Sequence, residues 1–272
     1  MLSIQTSNID KKDNLAVYNL NYPIITLNKE KTIITDINQK IYEDIIAFKT
    51  STEDILEFKY YSSEREVDFC GHATIAIMYD LIKNDSNLTN TETFTILTNR
   101  GVLKVENRIK DEDSVFIMSP VPYKKTVSLS NEQIADGLQI KTGEIDNALS
   151  VSVINAGLTT LIVPIKSLNS IIKIHPNIDY LKSFCISNDI DIIEVFTSDV
   201  SDISNDFRVR VFAPTFGYLE DPATGSGNSA FGYYLLDNNK FDKHTIVIEQ
   251  NNNRENYNIV KLQKRLDEEG NE

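Results

Sequence analysis

Apolar and polar positions alternate along this chain in short runs that are typical of β-strands. These runs are rich in Ile, Val, Thr and aromatic residues, and turn residues bound each of them. The clearest predicted strands are Ile55–Tyr61, Thr93–Thr98, Gly101–Asn107, Ser114–Met118, Thr159–Pro164, Phe207–Phe212 and Thr245–Glu249. Strands therefore dominate the predicted structure.

Two segments of small and apolar residues predict helices that are buried on nearly every side. The first, Ala73–Ile82, follows Cys70-Gly71, and the second, Asn228–Leu236, follows Gly225-Ser226-Gly227. Because a helix that is apolar all round is usually enclosed, we expect two sheets, each wrapped around a central helix. A third stretch, Ile178–Ser187, is amphipathic and predicts a surface helix that packs on one face.

The two buried helices follow similar segments, Glu66–Ala73 and Glu220–Gly227. Each segment has an acidic strand end, a glycine turn and the start of a small-residue helix. We interpret this echo as an internal duplication. The expected domains are an N-terminal half at 1–121, which the C-terminal segment could complete, a linker at 122–147, a C-terminal half at 148–255, and a tail or final short strand at 256–272.

The charge balance of the 272 residues argues against several partners. There are 27 Lys and Arg against 40 Asp and Glu, a formal charge of -13, with no basic stripe. Such a surface repels phosphate backbones and anionic membranes, so we expect neither as a partner. Two cysteines and three histidines favour neither a disulfide framework nor a metal site. Without an apolar leader or a membrane-length segment, we expect a cytoplasmic protein.

A glycine turn that opens a buried helix is suited to binding an anion. The first helical turn leaves backbone N–H groups unpaired, the peptide dipoles add positive potential, and glycine permits close approach. One such turn alone is more often a tight connection. His72 can transfer protons near neutral pH, however, and Asp221 and Ser226 flank the second turn. The combination predicts an enzyme without metal or organic cofactor, with its site between the two turns.

Two strings carry a resemblance to a known family. EVDFCGHATIA at Glu66–Ala76 and RVFAP…EDPATGSGNSA at Arg210–Ala230 resemble the two signature segments of the phenazine-biosynthesis PhzF-like family. That family is similar in fold to diaminopimelate epimerase and proline racemase. The resemblance implies an α+β protein with two pseudo-symmetric halves, each a curved sheet or barrel around a central helix, and a cleft between them.

The resemblance also implies an activity and the residues that carry it. Family members are usually homodimers, and those of known activity are cofactor-free isomerases that move a proton within a small carboxylated substrate, as in dihydro-hydroxyanthranilate isomerisation. By matching motif, His72 falls on the family's cleft histidine, Asp221 on its E-D-P aspartate and Ser226 on the serine of T-G-S. The expected substrate-binding residues are Gly71, Ala73, Gly225, Ser226 and Gly227.

One family motif is missing. The family's main proton-transferring acid is a glutamate in an S-E-T-x-F pattern, and with Phe48 as the anchor this position holds Ile45. A two-residue slip would bring Glu43 into place, and a one-residue slip would bring Asp44. Glu43 is therefore the candidate for the third catalytic residue, with Asp44 as the alternative. A carboxyl group in an apolar cleft would have a raised pKa, which suits acid–base work.

Two other functions remain open. The missing motif favours an inactive protein that binds small molecules on the same scaffold. A cysteine-dependent epimerase would need a thiol from each half. Cys70 occupies the first such position, but Thr224 stands near the second, which disfavours this chemistry. The substrate itself is open among a phenazine precursor, an amino acid and an unrelated metabolite.

Overall fold

The computed structural model describes residues 2–7, 46–52, 55–61, 66–126 and 128–264. The strands within these ranges are β1 (Leu2–Ser7), β2 (Ile46–Thr52), β3 (Ile55–Tyr61), β4 (Glu66–Val67), β5 (Thr93–Thr98), β6 (Gly101–Arg108), β7 (Ser114–Met118), β8 (Tyr123–Lys125), β9 (Ser152–Asn155), β10 (Thr159–Pro164), β11 (Ile192–Thr197), β12 (Phe207–Phe212), β13 (Glu220–Asp221), β14 (Thr245–Gln250) and β15 (Asn258–Lys264). The helices are α1 (Gly71–Asn84), α2 (Ile109–Glu112), α3 (Asn131–Leu138), α4 (Leu168–Ile172), α5 (Ile178–Ser187) and α6 (Gly225–Asp237), with 3-10 turns at Thr142–Glu144 and Pro214–Phe216. None of these helices has the length and apolar character needed to cross a bilayer.

The described strands form one continuous, mixed sheet. Its order is β2-β3-β5-β6-β7-β1-β15-β14-β12-β11-β10-β9-β8, with β4 on β3 and β13 on β12. Strand β1 joins the two parts of the sheet, because it pairs antiparallel with β7 on one side and with β15 on the other. The two sheets that we expected are therefore connected edge to edge through the backbone of β1.

Both helices that the sequence predicts to be buried lie against this sheet. Helix α1 contacts β1, β2 and β7, and α6 contacts β1, β9, β10, β11 and β15. Ten of the 13 residues of α6 are buried, which agrees with its lack of a polar face. In α1, 7 of the 14 residues are buried, so the expectation of an enclosed helix is confirmed for α6 and only in part for α1.

Most predicted strand and helix bounds agree with the structure, but both buried helices begin earlier than we expected. They start at Gly71 and Gly225, two to three residues before the predicted starts Ala73 and Asn228. The glycines therefore form the first helical turn itself. The extended residues Cys70 and Thr224 precede them as the N-caps.

Residues 122–147, which we expected to link the halves, contain β8 and α3. A capping box starts α3, in which the Ser130 side chain accepts from the backbone N–H of Gln133 and the Gln133 side chain accepts from that of Ser130. The apolar face of α3 packs with α5 in one cluster, which includes Ile134, Leu138 and Leu181. This segment is thus part of the packed structure around β10 and β11, and the division into domains stays a prediction.

A buried ion pair ties β12 to β14. Arg208 Nη1 lies 2.8 Å from Glu249 Oε2, and both side chains are fully buried. Burial raises the pKa of Glu249, but hydrogen bonds from Asn205, from the backbone of Asp202 and Ser201, and from Arg208 lower it, so the net pKa lies below its usual range. Each buried charge here is compensated, as burial requires.

We expect Glu249→Gln to lower the free energy of unfolding by about 3–5 kcal/mol, because the substitution leaves the Arg208 guanidinium buried without a counter-charge. Urea unfolding near pH 7 measures this difference, and Glu255→Gln, which changes an exposed residue, is the control. Because the pKa of Glu249 is lowered by folding, the wild type's advantage over Glu249→Gln should shrink as the pH falls below the ordinary range of glutamate. Equal stability of the two variants near neutral pH would contradict the argument.

Candidate active site

The first turns of α1 and α6 meet backbone to backbone. A Cβ atom placed on Gly225 would lie 2.7 Å from the Cα of Gly71, and one placed on Gly71 would lie 2.9 Å from the Cα of Gly225. Both separations are below 3.0 Å, closer than real Cβ contacts allow. The predicted convergence of the two glycine turns is confirmed, and only glycine at both positions permits it.

Neither of these helix starts has a side-chain cap. The side chains of the N-cap residues Cys70 and Thr224 accept no hydrogen bond from the first turn, whereas the side chains of Ser130, Ser167 and Asn177 cap α3, α4 and α5. The positive ends of two helix dipoles therefore face one another, and no N-cap side chain accepts a hydrogen bond from the first-turn N–H groups of either helix. This arrangement favours a bound anion.

A small cavity lies beside the two turns. Its volume is about 10 Å³, which is room for about one water molecule. Its wall includes the polar residues Cys70, His72, Asp221, Thr224 and Ser226, while the rest is mainly apolar and aromatic, with Val67, Phe69, Leu158, Ile192, Ala213, Phe216 and Tyr218. The lining contains no Lys or Arg among the described residues.

The structure brings most of the predicted site residues together. Gly71, His72, Asp221, Gly225 and Ser226 all line this cavity. Ala73 and Gly227 belong to the first turns of the two helices but are not part of the wall. Glu43 and Asp44 lie outside the described residues, so their placement stays a prediction.

His72 is the second residue of α1 and is half-buried. Its ring nitrogens Nδ1 and Nε2 lie 3.6 and 3.7 Å from the Sγ of Cys70. The imidazole therefore lies at the cavity wall, against the thiol of the residue that precedes the helix. A histidine in this place can exchange a proton with a molecule in the cavity.

Asp221 enters the site from the short strand β13 and is only 5% exposed. Its Oδ1 accepts a hydrogen bond of 3.0 Å from the backbone N–H of Ala223. The turn between Asp221 and α6 is held by Gln250 of β14, whose Nε2 donates to the carbonyl of Asp221 and to Oγ1 of Thr224. Gln250 thus positions the E-D-P-A-T turn, although its place next to that turn has no signal in the local sequence.

Asn228 supports the same turn from within α6. Its Nδ2 donates to the carbonyl of Thr224 at 2.7 Å and to Oε1 of Gln250 at 2.8 Å. The backbone N–H of Thr224 also donates to Oε1 of Gln250. These buried bonds fix the angle at which the second glycine turn reaches the cavity.

Gly227 lies against a buried acid, and its expected part in substrate binding stays a prediction. A Cβ atom on Gly227 would lie 2.6 Å from Oε2 of Glu194, a fully buried residue of β11. The room beside this glycine is therefore occupied by a carboxyl group rather than open to a substrate. The sequence did carry a signal for Glu194, since it is a lone acidic residue inside the apolar run Ile192–Thr197.

Comparison with known proteins identifies the family. The sequence pattern described as phenazine biosynthesis-like protein, PhzC-PhzF, matches residues 45–270. The chain belongs to this PhzF-like family. An uncharacterized isomerase of Bacillus subtilis is 28% identical over 211 residues, which cover 77% of this chain and 72% of the relative. An uncharacterized isomerase of Clostridium acetobutylicum is 30% identical over 186 residues, which cover 65% of this chain and 59% of the relative.

Solved structures show the same fold. A PhzF-family phenazine biosynthesis protein from Bacillus anthracis superimposes with a TM-score of 0.65 at 23% identity, over 80% of each chain. A predicted epimerase from Pseudomonas aeruginosa gives 0.64 at 13% identity, over 80% of this chain and 79% of the other. A hydroxyproline epimerase from Agrobacterium vitis gives a TM-score of 0.51 at 10% identity, over 81% of this chain and 71% of the other. The α+β, diaminopimelate epimerase-like fold is confirmed. The homologues named as isomerases support an isomerase at the level of the family.

Within the described ranges, no group of three or more His, Cys, Asp or Glu residues is arranged to hold a metal ion. The chemistry that the cavity wall offers comes from an imidazole, a carboxyl group, hydroxyl groups, a thiol and the first-turn amides. These groups can bind a small anion and exchange protons with it.

We expect Gly225→Ala to lower the free energy of unfolding by about 1–3 kcal/mol, because its methyl group overlaps the backbone of Gly71 and overpacking strains the core. The matched control is Gly143→Ala, since a Cβ atom there meets nothing within 4 Å. The control should stay within about 0.5 kcal/mol of the wild type in urea unfolding. A Gly225→Ala protein as stable as the control would show that the two turns do not touch.

Proposed function

We propose that this PhzF-like protein is a cofactor-independent isomerase that moves a proton within a small carboxylate-bearing metabolite. The observation that carries the proposal is the contact of two uncapped, glycine-started helix ends beside His72 and Asp221. The names of the relatives, as uncharacterized isomerases, support the same reaction class.

The substrate carboxylate is bound by the helix ends. No cationic side chain lines the cavity among the described residues, so the attraction for an anion comes from the first-turn amides of α1 and α6. Ser226 lies at the same turn and can donate its hydroxyl proton to a carboxylate oxygen. When a C–H bond next to the carboxylate breaks, the negative charge that develops on its oxygens is stabilised by the same donors.

His72 transfers the proton. Its neutral imidazole takes the proton from one carbon of the substrate, and the electron pair of that C–H bond passes into the conjugated carboxylate. The imidazolium then returns the proton to a different carbon, so substrate and product have the same composition. The carboxylate of Asp221, which lines the same cavity, stabilises the imidazolium between the two steps. Glu43, with Asp44 as the alternative, remains the candidate for a further acid.

Solvent deuterium incorporation tests this assignment. Candidate aromatic and amino carboxylates are incubated with the enzyme in D₂O, and NMR records which C–H positions exchange. We expect His72→Ala and Asp221→Ala to lower the exchange rate by about 10²–10⁴-fold, because each removes a group that the proton transfer requires. His175→Ala, which removes an exposed histidine outside the cavity wall, should exchange at the wild-type rate.

Full exchange by both site variants would reject the proposed roles of His72 and Asp221. Circular dichroism and urea unfolding of the same variants establish that each has folded, so that a loss of exchange is assigned to chemistry.

A second candidate is a protein that binds a small carboxylate without converting it. It is favoured by Ile45, which stands where the family's proton-transferring glutamate is expected. Saturation-transfer NMR separates the two functions. If the wild type binds a carboxylate but incorporates no deuterium into it, this candidate is favoured over the isomerase.

A further inference from the structure

Glu194 is a buried acid without a partner. It lies in β11, is 0% exposed, and neither carboxyl oxygen has a hydrogen-bond partner among the described residues. Its Oε2 fills the space beside Gly227, under the first turn of α6. Ile192 and Thr224, whose side chains approach the same space, line the cavity, so the carboxyl group of Glu194 lies directly behind the cavity wall.

Other acids of this sheet have partners that Glu194 lacks. Glu249 is paired with Arg208, and Glu220 is paired with Arg210 at 2.7 Å. The Nη1 of Arg210 is also held by the carbonyl groups of Ile171, Ile172 and Ile174. Both arginines of β12 are therefore committed to other groups.

The strand register relates Glu194 to Asp221. Glu194 of β11 is opposite Val211 of β12, and Val211 is opposite Asp221 of β13. Directly opposed residues share a face of the sheet, so the two carboxyl groups lie on the same face. Ile162, which is opposite Glu194 in the β10 register, and Gly227 of α6 carry no charge.

The two carboxyl groups have unequal surroundings. Burial, and then the negative charge of Asp221, raise the pKa of Glu194 well above its usual range. Asp221 has the backbone N–H of Ala223 as a donor and reaches the cavity wall, whereas the described part of the chain supplies no donor to Glu194. Of two neighbouring carboxyl groups, the one whose charge is more poorly solvated keeps its proton to the higher pH.

We propose that Glu194 is a protonated positioning residue, whose retained proton keeps the neighbouring Asp221 ionised at the cavity wall. The catalytic consequence rests on the proposed function, because the charge on Asp221 is what stabilises the His72 imidazolium there. The protonation of Glu194 itself is independent of any substrate.

Infrared spectroscopy of the carbonyl stretch tests the protonation directly. At neutral pH the wild type should show the band of a protonated carboxylic acid, and Glu194→Gln should lose it. Glu66→Gln, which removes an exposed carboxylate, is the control and should keep the band. In Asp221→Asn, the Glu194 band should disappear at a lower pH than in the wild type, because the negative neighbour is gone. A band that persists in Glu194→Gln, or that titrates identically in Asp221→Asn, would overturn the proposal.

The pH dependence of unfolding gives a second readout. The pKa of Glu194 is higher in the folded state than in the unfolded state, so the folded protein binds the extra proton. Between these two pKa values, the wild type's unfolding constant should rise about tenfold per pH unit relative to that of Glu194→Gln. If Glu194→Gln folds normally and the two unfolding constants change with pH in parallel, Glu194 does not retain a proton in the folded protein.

Exchange kinetics connect the proposal to the reaction. Glu194→Gln keeps a neutral group beside Asp221, so we expect near-wild-type exchange at neutral pH. In the wild type, ionisation of Glu194 puts a second negative charge behind the cavity wall, and this charge repels the substrate carboxylate. Exchange should therefore decline at alkaline pH in the wild type and not in Glu194→Gln. An unchanged alkaline decline in the variant would contradict the positioning role. A wild type that exchanges no candidate carboxylate would instead count against the proposed function, since the infrared band still reports on Glu194.

Discussion

The contact between Gly71 and Gly225 is the constraint on which the site depends. Two helix starts can approach this closely only if neither residue carries a side chain, and the residues before them must be extended so that the chain enters each helix from its strand. The approach aligns the positive ends of two dipoles on one small cavity. The long sheet, which is continuous through β1, holds the two helices in this relation.

The buried acids of this acidic protein differ in whether a cation is paired with them. The cavity beside the two helix starts contains no cationic side chain among its described lining residues, so any positive potential there comes from the backbone amides. The buried arginines Arg208 and Arg210 instead neutralise Glu249 and Glu220 away from the cavity. Glu194 is left without a cation, and this difference makes it a proton-holding group beside the site rather than half of a structural ion pair.

Local patterns predicted most of the elements that surround the site. Period-two alternation and β-branched runs predicted strands such as Thr93–Thr98 and Phe207–Phe212 with the bounds that the structure has. The helix starts were placed too late because glycine has a low helix propensity, so the sequence at Gly71 and Gly225 resembles a turn. Tertiary packing overrides that preference, since each first turn is held against the other helix.

The sequence by itself determined most strands and the two buried helices, because these depend on short-range periodicity. The resemblance of its two motifs to a known family implied the α+β fold and the meeting of His72, Asp221 and Ser226 in one site. Only the tertiary structure decided the roles of Glu194 and Gln250. These residues reach the site from β11 and β14 through strand register and the docking of α6. Contacts of that kind join distant parts of the chain, so no local pattern of residues encodes them.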